Sequence, residues 1–322
     1  MKARFHHQTK AVACLLAFCL MFSQAICVQA AAIRKTDVEA ASNGNILVGV
    51  EGNFEKINTN EVLKRINAIR KEACQKGYVN PENGKKLKMS DYTAIKWSSD
   101  LEWIAQLRAA EATVREDHTR PNGQLCFSIQ HNGEKSWAEN LAWNGSGIMA
   151  GIEQWYGEKN DWVKQNDQAV TGHYTSLISP GHTSIGLGSF RQTAGKWYAV
   201  SAEFSSAAST DEQSLNLSGK KTQTIEVSAK AASKTKIKAP STLKAGKKKS
   251  LKVTMQISYD GIMGGKNIST GILLDNVSWT SSDPSVLSIN ENGKAEAKKV
   301  GKATITANVA GSKNLKATIR VN

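Results

Sequence analysis

Seven of the chain's eight tryptophans lie between residues 97 and 197, and only Trp279 lies beyond them. The apolar period changes near the same boundary. Before about residue 205, apolar residues recur at helical spacing. After it they alternate, as in strands with one face buried. One uniform architecture does not accommodate both patterns, so two domains of different class are expected.

The N-terminus is set apart from both. Lys2, Arg4 and Lys10 precede the apolar run "AVACLLAFCLMFSQAICV", and "VQA" at residues 28–30 offers small residues for cleavage. That order is the pattern of a secretory signal peptide, expected to span residues 1–31. It implies a secreted or surface-associated chain with no transmembrane segment after cleavage; the apolar run is a little long for a signal peptide, and an uncleaved N-terminal anchor is the alternative. Cys14, Cys19 and Cys27 leave with the cleaved segment, so the mature chain keeps Cys74 and Cys126. In an oxidising compartment these form either one disulfide or two separately buried thiols. The formal charge of +14 falls to +11, because the segment carries three bases and no acid.

Much of the remaining charge is local. Residues 219–252 hold eleven lysines and one acid, Glu226. Outside a cell, the expected electrostatic partner is an anionic wall polymer or membrane face rather than nucleic acid. Residues 206–234 are rich in Ser, Thr, Ala and Lys and are expected to form a flexible linker. Residues 32–58 read as a loosely held lead.

Residues 59–205 read as a mixed α+β unit. "TNEVLKRINAIRKEACQKG" spaces Val62, Ile66, Ile69 and Ala73 for one helical face, with Thr59 or Asn60 as cap and Gly77 as stop. "SSDLEWIAQLRAAEATVRE" repeats the pattern, capped by Ser99 or Asp100, and "GIMAGIEQWYGEKNDW" is a shorter third helix. "TSIGLGSF" and "KWYAVSAEF", joined by "RQTAG", read as an antiparallel hairpin. Residues 235–322 show only short alternating strands separated by Gly, Asn-Gly and Asp-Pro turns, a small all-β sandwich.

Four polar residues interrupt apolar surroundings in the first unit: His118, Glu139, Glu158 and His173. Two imidazoles and two carboxylates in one pocket would suit a divalent cation, with the carboxylates orienting the rings. The same set would suit acid–base work, or merely satisfy loop backbones. The spacings match no local metal motif. His182 and His131 read as surface and turn residues. Ser176 and Cys126 are the nucleophiles to weigh, and neither sits in a recognisable elbow. Trp137, Trp143, Trp155, Tyr156 and Trp162 cluster in the same stretch, as core or as the lining of a groove.

"HTRPNG", "AENLAW", "WYGE" and "TGHYTSLISP…GLGSF", in this order, resemble the CAP superfamily (cysteine-rich secretory proteins, antigen five and pathogenesis-related proteins), or SCP domain. The resemblance implies a three-layer α–β–α sandwich with a His-Glu-Glu-His cleft. By motif the cleft falls on His118, Glu139, Glu158 and His173, and in the family the two histidines can hold zinc or another divalent cation. It also implies an extracellular role in binding a lipid, glycan or protein. A metal-assisted hydrolase using the same four residues, and a purely structural or adhesive protein, are the rival readings. "VSWTSSDPSVLSINENGKAEAKKVGKATITA" resembles the bacterial Ig-like domain of group two, which implies a spacer or adhesive module. The expected whole is therefore a CAP sandwich at 59–205 joined by a linker to an Ig-like sandwich at 235–322.

Overall fold

A computed structural model describes residues 41, 44–211, 213–262, 264–274, 276–309 and 314–322. The expected signal peptide lies outside the described residues. Five helices are present among them: α1 (Thr59–Lys76), α2 (Ser99–Ala112), α3 (Ile148–Gly157), α4 (Lys159–Val163) and α5 (Gly172–Ile178). The strands of the N-terminal half are β1 (Asn45–Phe54), β2 (Lys96–Trp97), β3 (Ala138–Asn144), β4 (Ser184–Gln192) and β5 (Tyr198–Ser205). Then follow β6 (Gly219–Ser228), β7 (Ala232–Lys238), β8 (Thr242–Leu243), β9 (Lys248–Ser250), β10 (Lys252–Asp260) and β11 (Lys266–Leu273). The last five are β12 (Val277–Ser281), β13 (Leu287–Ile289), β14 (Lys294–Ala297), β15 (Gly301–Val309) and β16 (Leu315–Val321).

The helices stand where the apolar period placed them, with caps one residue or so earlier than expected. Asn58 caps α1 by accepting from the Glu61 amide at 3.3 Å, and Ser98 caps α2. The β4–β5 hairpin is as expected. Its apolar residues divide by pleat: Ile185, Leu187, Val200, Ala202 and Phe204 pack with α1, α3 and α5 in one core. The opposite face takes α2, whose backbone lies directly on β4. A Cβ at Gly186 would come within 2.0 Å of the Glu102 amide nitrogen, and one at Gly188 within 2.4 Å of Ala105. Only glycine permits that approach, and "GLG" supplies it twice. The result is the expected three-layer arrangement of helix, sheet and helices.

The expectations for the two loose segments are corrected. Residues 45–54, inside the supposed lead, form β1, whose Leu47, Val48 and Val50 are wholly buried. Residues 219–228, inside the supposed linker, form β6, which pairs with β1 at every one of its ten positions. The other edge of β1 is divided: Val48 and Gly49 pair with β11, while residues 52–54 pair with β4. One nine-stranded sheet therefore runs β3-β5-β4-β1-β11-β10-β7, with β2 on β4 and β6 on β1. A single core joins Ile46, Val48 and Val50 to Leu101 and Ile104 of α2 and to Val253, Met255 and Ile257 of β10. Residues Asp37–Asn322 accordingly cluster as one unit, rather than as two bodies on a tether.

The C-terminal half is β-rich, as expected, but its strands are shared out. β7, β10 and β11 extend the large sheet. β12-β15-β16-β8 and β13-β14-β9 form two smaller sheets over a core of Leu287, Ala303, Ile305 and Ile319. No helix among the described residues is long and apolar enough to cross a membrane.

This junction makes two predictions. Thermal unfolding of residues 32–322 is one cooperative transition by calorimetry, and two resolved transitions would show separable domains. Gly52→Ala places a Cβ 2.3 Å from Phe190 Cζ and 2.5 Å from the Arg191 carbonyl. It is expected to cost about 1–3 kcal/mol by denaturant titration, because backbone on β4 has to give way.

Candidate functional site

The site grows from an unusual helix. α2 is buried nearly all round, so the polar members of "IAQLRAAEA" have no solvent to face. Buried charge must be paired. Arg108, with a side chain 0% exposed, donates from Nε to Glu139 Oε2 at 2.6 Å and from Nη2 to Glu139 Oε1 at 3.2 Å. Its Nη1 reaches Glu111 Oε2 at 2.8 Å, and Nη2 also reaches the Asp117 carbonyl at 3.0 Å. Arg120 closes the network from the loop, with Nη2 2.8 Å from Glu111 Oε1 and Nη1 3.0 Å from Ser128 Oγ. The loop that carries His118 is thus fastened to α2 at both ends.

On that frame His118 Nδ1 lies 2.7 Å from Glu139 Oε1, with half of the imidazole exposed and the carboxylate fully buried. Burial alone would push the Glu139 carboxyl up. The Arg108 charge, with the His118 contact, overrides it and holds Glu139 down to about 2.

The second pair is built differently. Glu158 ends α3 and accepts from the backbone amides of His173 and Tyr174, both at 3.0 Å. These are orphan donors of the first turn of α5, so the carboxylate caps that helix and complements its dipole. Its Oε1 also lies 2.5 Å from His173 Nδ1. Arg70 anchors the other end of α5, donating to the carbonyls of Leu177, Ser179 and His182 at 2.8, 2.9 and 3.0 Å. Burial lowers its pKa to about 10.

The two pairs meet at β3. Glu139 points toward α2, while the next residue, Asn140, points the other way and donates to the His173 carbonyl at 2.9 Å. The structure therefore brings His118 to Glu139 and His173 to Glu158, and ties both to adjacent residues of one strand. Neither ring's Nε2 has a hydrogen-bond partner among the described residues.

Arg70, Arg108, Glu111, Arg120, Asn140 and Glu203 were not singled out from the sequence as site residues. The signal was present in α2, where charged residues stand in an alanine-rich helix with no polar face. Glu203 faces Glu139 directly across β3–β5. Both carboxyls are buried, and two like charges opposite each other are unfavourable. Burial first, and the Glu139 charge next, push Glu203 well above the ordinary range, which favours its uncharged form. Ser201 donates to its Oε1 at 2.8 Å.

Of the two alternatives for Cys74 and Cys126, the structure has the second: both are buried free thiols, in different surroundings. Cys74 packs on α1 in the helical core. Cys126 sits beside His118 and Glu139, with ligand atoms of the three within 4.8 Å of one another. Burial, with the Glu139 and Glu203 carboxyls, pushes its thiol up to about 12. A thiolate nucleophile is therefore disfavoured there. Ser176 Oγ donates to the Gly172 carbonyl at 2.9 Å rather than to a base. His182, expected on the surface, is largely buried against Phe204 and bonded through Nδ1 to the Ser176 carbonyl at 2.9 Å. His131 is in a turn, as expected, stacked on Trp103. Of the aromatic cluster, Trp155 is core, Trp143, Tyr156 and Trp162 are partly buried, and Trp137 is 60% exposed.

Residues 63–204 match the model of the cysteine-rich secretory protein family, CAP, so this part of the chain is a CAP domain. A solved structure described as "Structure of BmVAL-1" is 19% identical, over 49% of this chain and 81% of that chain, with a TM-score of 0.34. Comparison with curated proteins finds no match.

The carboxyl pair predicts opposite mutational outcomes. Glu139→Gln strips Arg108 of a buried counter-charge and is expected to cost about 3–5 kcal/mol at pH 7. Glu203→Gln replaces a group whose charged form burial disfavours, and is expected to cost less than about 1 kcal/mol. Denaturant titrations of the two variants check this, and equal losses would contradict the assignment. The pH signs follow. Glu139's contribution is present above the ordinary Glu range and is lost as pH falls toward about 2. The contribution of Glu203, whose folded value is raised, is full below that range and is lost as pH rises.

Proposed function

With a CAP domain at residues 63–204 as the premise, we propose that this is an extracellular binding protein whose cleft holds a divalent cation, such as zinc, through His118 and His173. One observation carries the reading. The same device occurs twice: an imidazole whose Nδ1 is engaged by a carboxylate, at 2.7 and 2.5 Å, with that carboxylate fixed by further donors. A carboxylate on one ring nitrogen sets the tautomer and leaves Nε2 as the basic atom, which is how metal-binding histidines are held. Two imidazole Nε2 atoms are the donors zinc favours, and ligand atoms of His118, Cys126 and Glu139 already lie within 4.8 Å of one another on the His118 side. When bound, the cation would polarise an oxygen of the ligand, while Glu139 and Glu158 orient the rings.

Glu139 and Cys126 are less suited to direct coordination. Both Glu139 oxygens are engaged by Arg108, and a cation at Cys126 would have to displace a strongly held proton.

The ligand is read as an amphiphile with an oxygen-bearing head. Leu125, 67% exposed, and Phe127, 40% exposed, bracket Cys126 in the chain, and the exposed Trp137 precedes Glu139 by two residues. Large apolar side chains left in water beside a polar site mark a surface that something covers. The β-rich region at 235–322, read as an Ig-like module, presents this cleft through the shared sheet.

Zinc calorimetry on the mature, tag-free chain tests the reading. The parent is expected to bind one zinc, and His118→Ala/His173→Ala to weaken it by more than about tenfold, or about 1.4 kcal/mol. Equal affinity in both, or no binding in either, would sink it.

A further inference from the structure

The eleven lysines of residues 219–252 do not form one patch. The structure spreads them over β6, β7, β9, β10 and the turns between, in two different sheets. One of them is already paired, Lys248 with Glu296 at 3.2 Å. A further one-signed surface of regular structure lies elsewhere, on the outer face of β12-β15-β16-β8.

That face follows from register. The inward residues of β15 and β16, Ala303, Ile305, Ile319 and Val321, fill the small core. Their neighbours must therefore point outward. Outward pairs run Lys302 opposite Arg320, Thr304 opposite Thr318, and Thr306 opposite Lys316. Toward β12, Thr306 faces Thr280 and Asn308 faces Ser278. Toward β8, Arg320 faces Thr242. These strands place no Asp or Glu outward, and none of the three cations has an ion-pair partner among the described residues.

The chemistry of this face is specific. Lys302 and Arg320 are like charges directly opposite each other, an arrangement that costs stability unless an anion lies between them. Beside them runs a flat field of hydroxyls, Thr304 and Thr318 joined Oγ1 to Oγ1 at 3.0 Å. Hydroxyls and an amide at strand spacing can exchange hydrogen bonds with sugar hydroxyls, while the cations take the anionic groups. No outward strand residue on this face is aromatic or large and aliphatic. A lipid surface would find nothing to insert, and a single-stranded nucleic acid would find nothing to stack on.

We propose that this face docks an anionic polysaccharide, with Lys302, Lys316 and Arg320 reading its charge and the threonine field its hydroxyls. The inference does not depend on the cleft reading, and the two fail separately.

The test uses the whole mature chain and heparin as the probe, with neutral dextran, phosphatidylserine vesicles and duplex DNA alongside. Lys302→Gln/Lys316→Gln/Arg320→Gln is compared with Lys234→Gln/Lys236→Gln/Lys238→Gln on β7, which removes the same charge from another edge. The first is expected to weaken heparin binding by about tenfold or more, the second by less than about threefold, and added salt to weaken the parent's binding. Thr304→Val/Thr306→Val/Thr318→Val is expected to weaken it by about threefold or more with all charges kept. Circular dichroism verifies the folds, and single variants Lys302→Gln and Arg320→Gln stand in if a triple variant unfolds, each expected to weaken binding by about twofold or more. Equal loss in the two charge variants, no loss in the threonine variant, failure to bind heparin, or tighter binding to vesicles or DNA would each overturn the proposal.

Discussion

The site depends on a guanidinium with nowhere else to go. Arg108 is sealed between α2 and the sheet because Gly186 and Gly188 let the helix backbone settle onto β4. At that depth a charge is tolerated only with counter-charges and hydrogen bonds around it. Glu139, Glu111 and the Asp117 carbonyl provide them. Meeting that demand fixes β3 to α2, fixes the start of the His118 loop, and leaves Glu139 ionised beneath an exposed imidazole. The His118–Glu139 pair is thus the outer rim of a buried electrostatic constraint. Arg70 does the corresponding work on the other side of the sheet, where it gathers the carbonyls that end α5 and so sets His173 against Glu158.

A second constraint links this domain to the rest of the chain. β1 is completed along one edge by β6 and along the other by both β4 and β11. Because one buried strand belongs to both halves, the C-terminal region is not a tethered appendage.

Much of this was legible beforehand where pattern and chemistry agree. The helices α1 and α2, the β4–β5 hairpin and the alternating strands of the C-terminal half follow from period alone. His118, Glu139, Glu158 and His173 stood out as polar interruptions of apolar sequence, and ordered motifs assigned them to a cleft. What the sequence concealed was non-local. "NILVGVEGNF" and "GKKTQTIEVS" look weak in isolation, since glycine, lysine and threonine dilute their apolar alternation. They become core strands only by pairing with each other across the whole CAP domain. Arg108 and Glu111 were passed over for a related reason: their partners Glu139 and Arg120 lie far along the chain or in a loop, and only the fold brings them together. Two cysteines suggested a bond, yet their surroundings place Cys74 among apolar side chains on α1 and Cys126 beneath His118.

The account stands or falls on how the two imidazoles are held. Long-range nitrogen–proton correlation NMR of the mature protein at pH 8.5 reads the tautomer of each histidine directly. His118 and His173 are predicted to carry the proton on Nδ1, with Nε2 unprotonated and shifted when zinc is added. Protons on Nε2, or nitrogen shifts that ignore zinc in both rings, would contradict it.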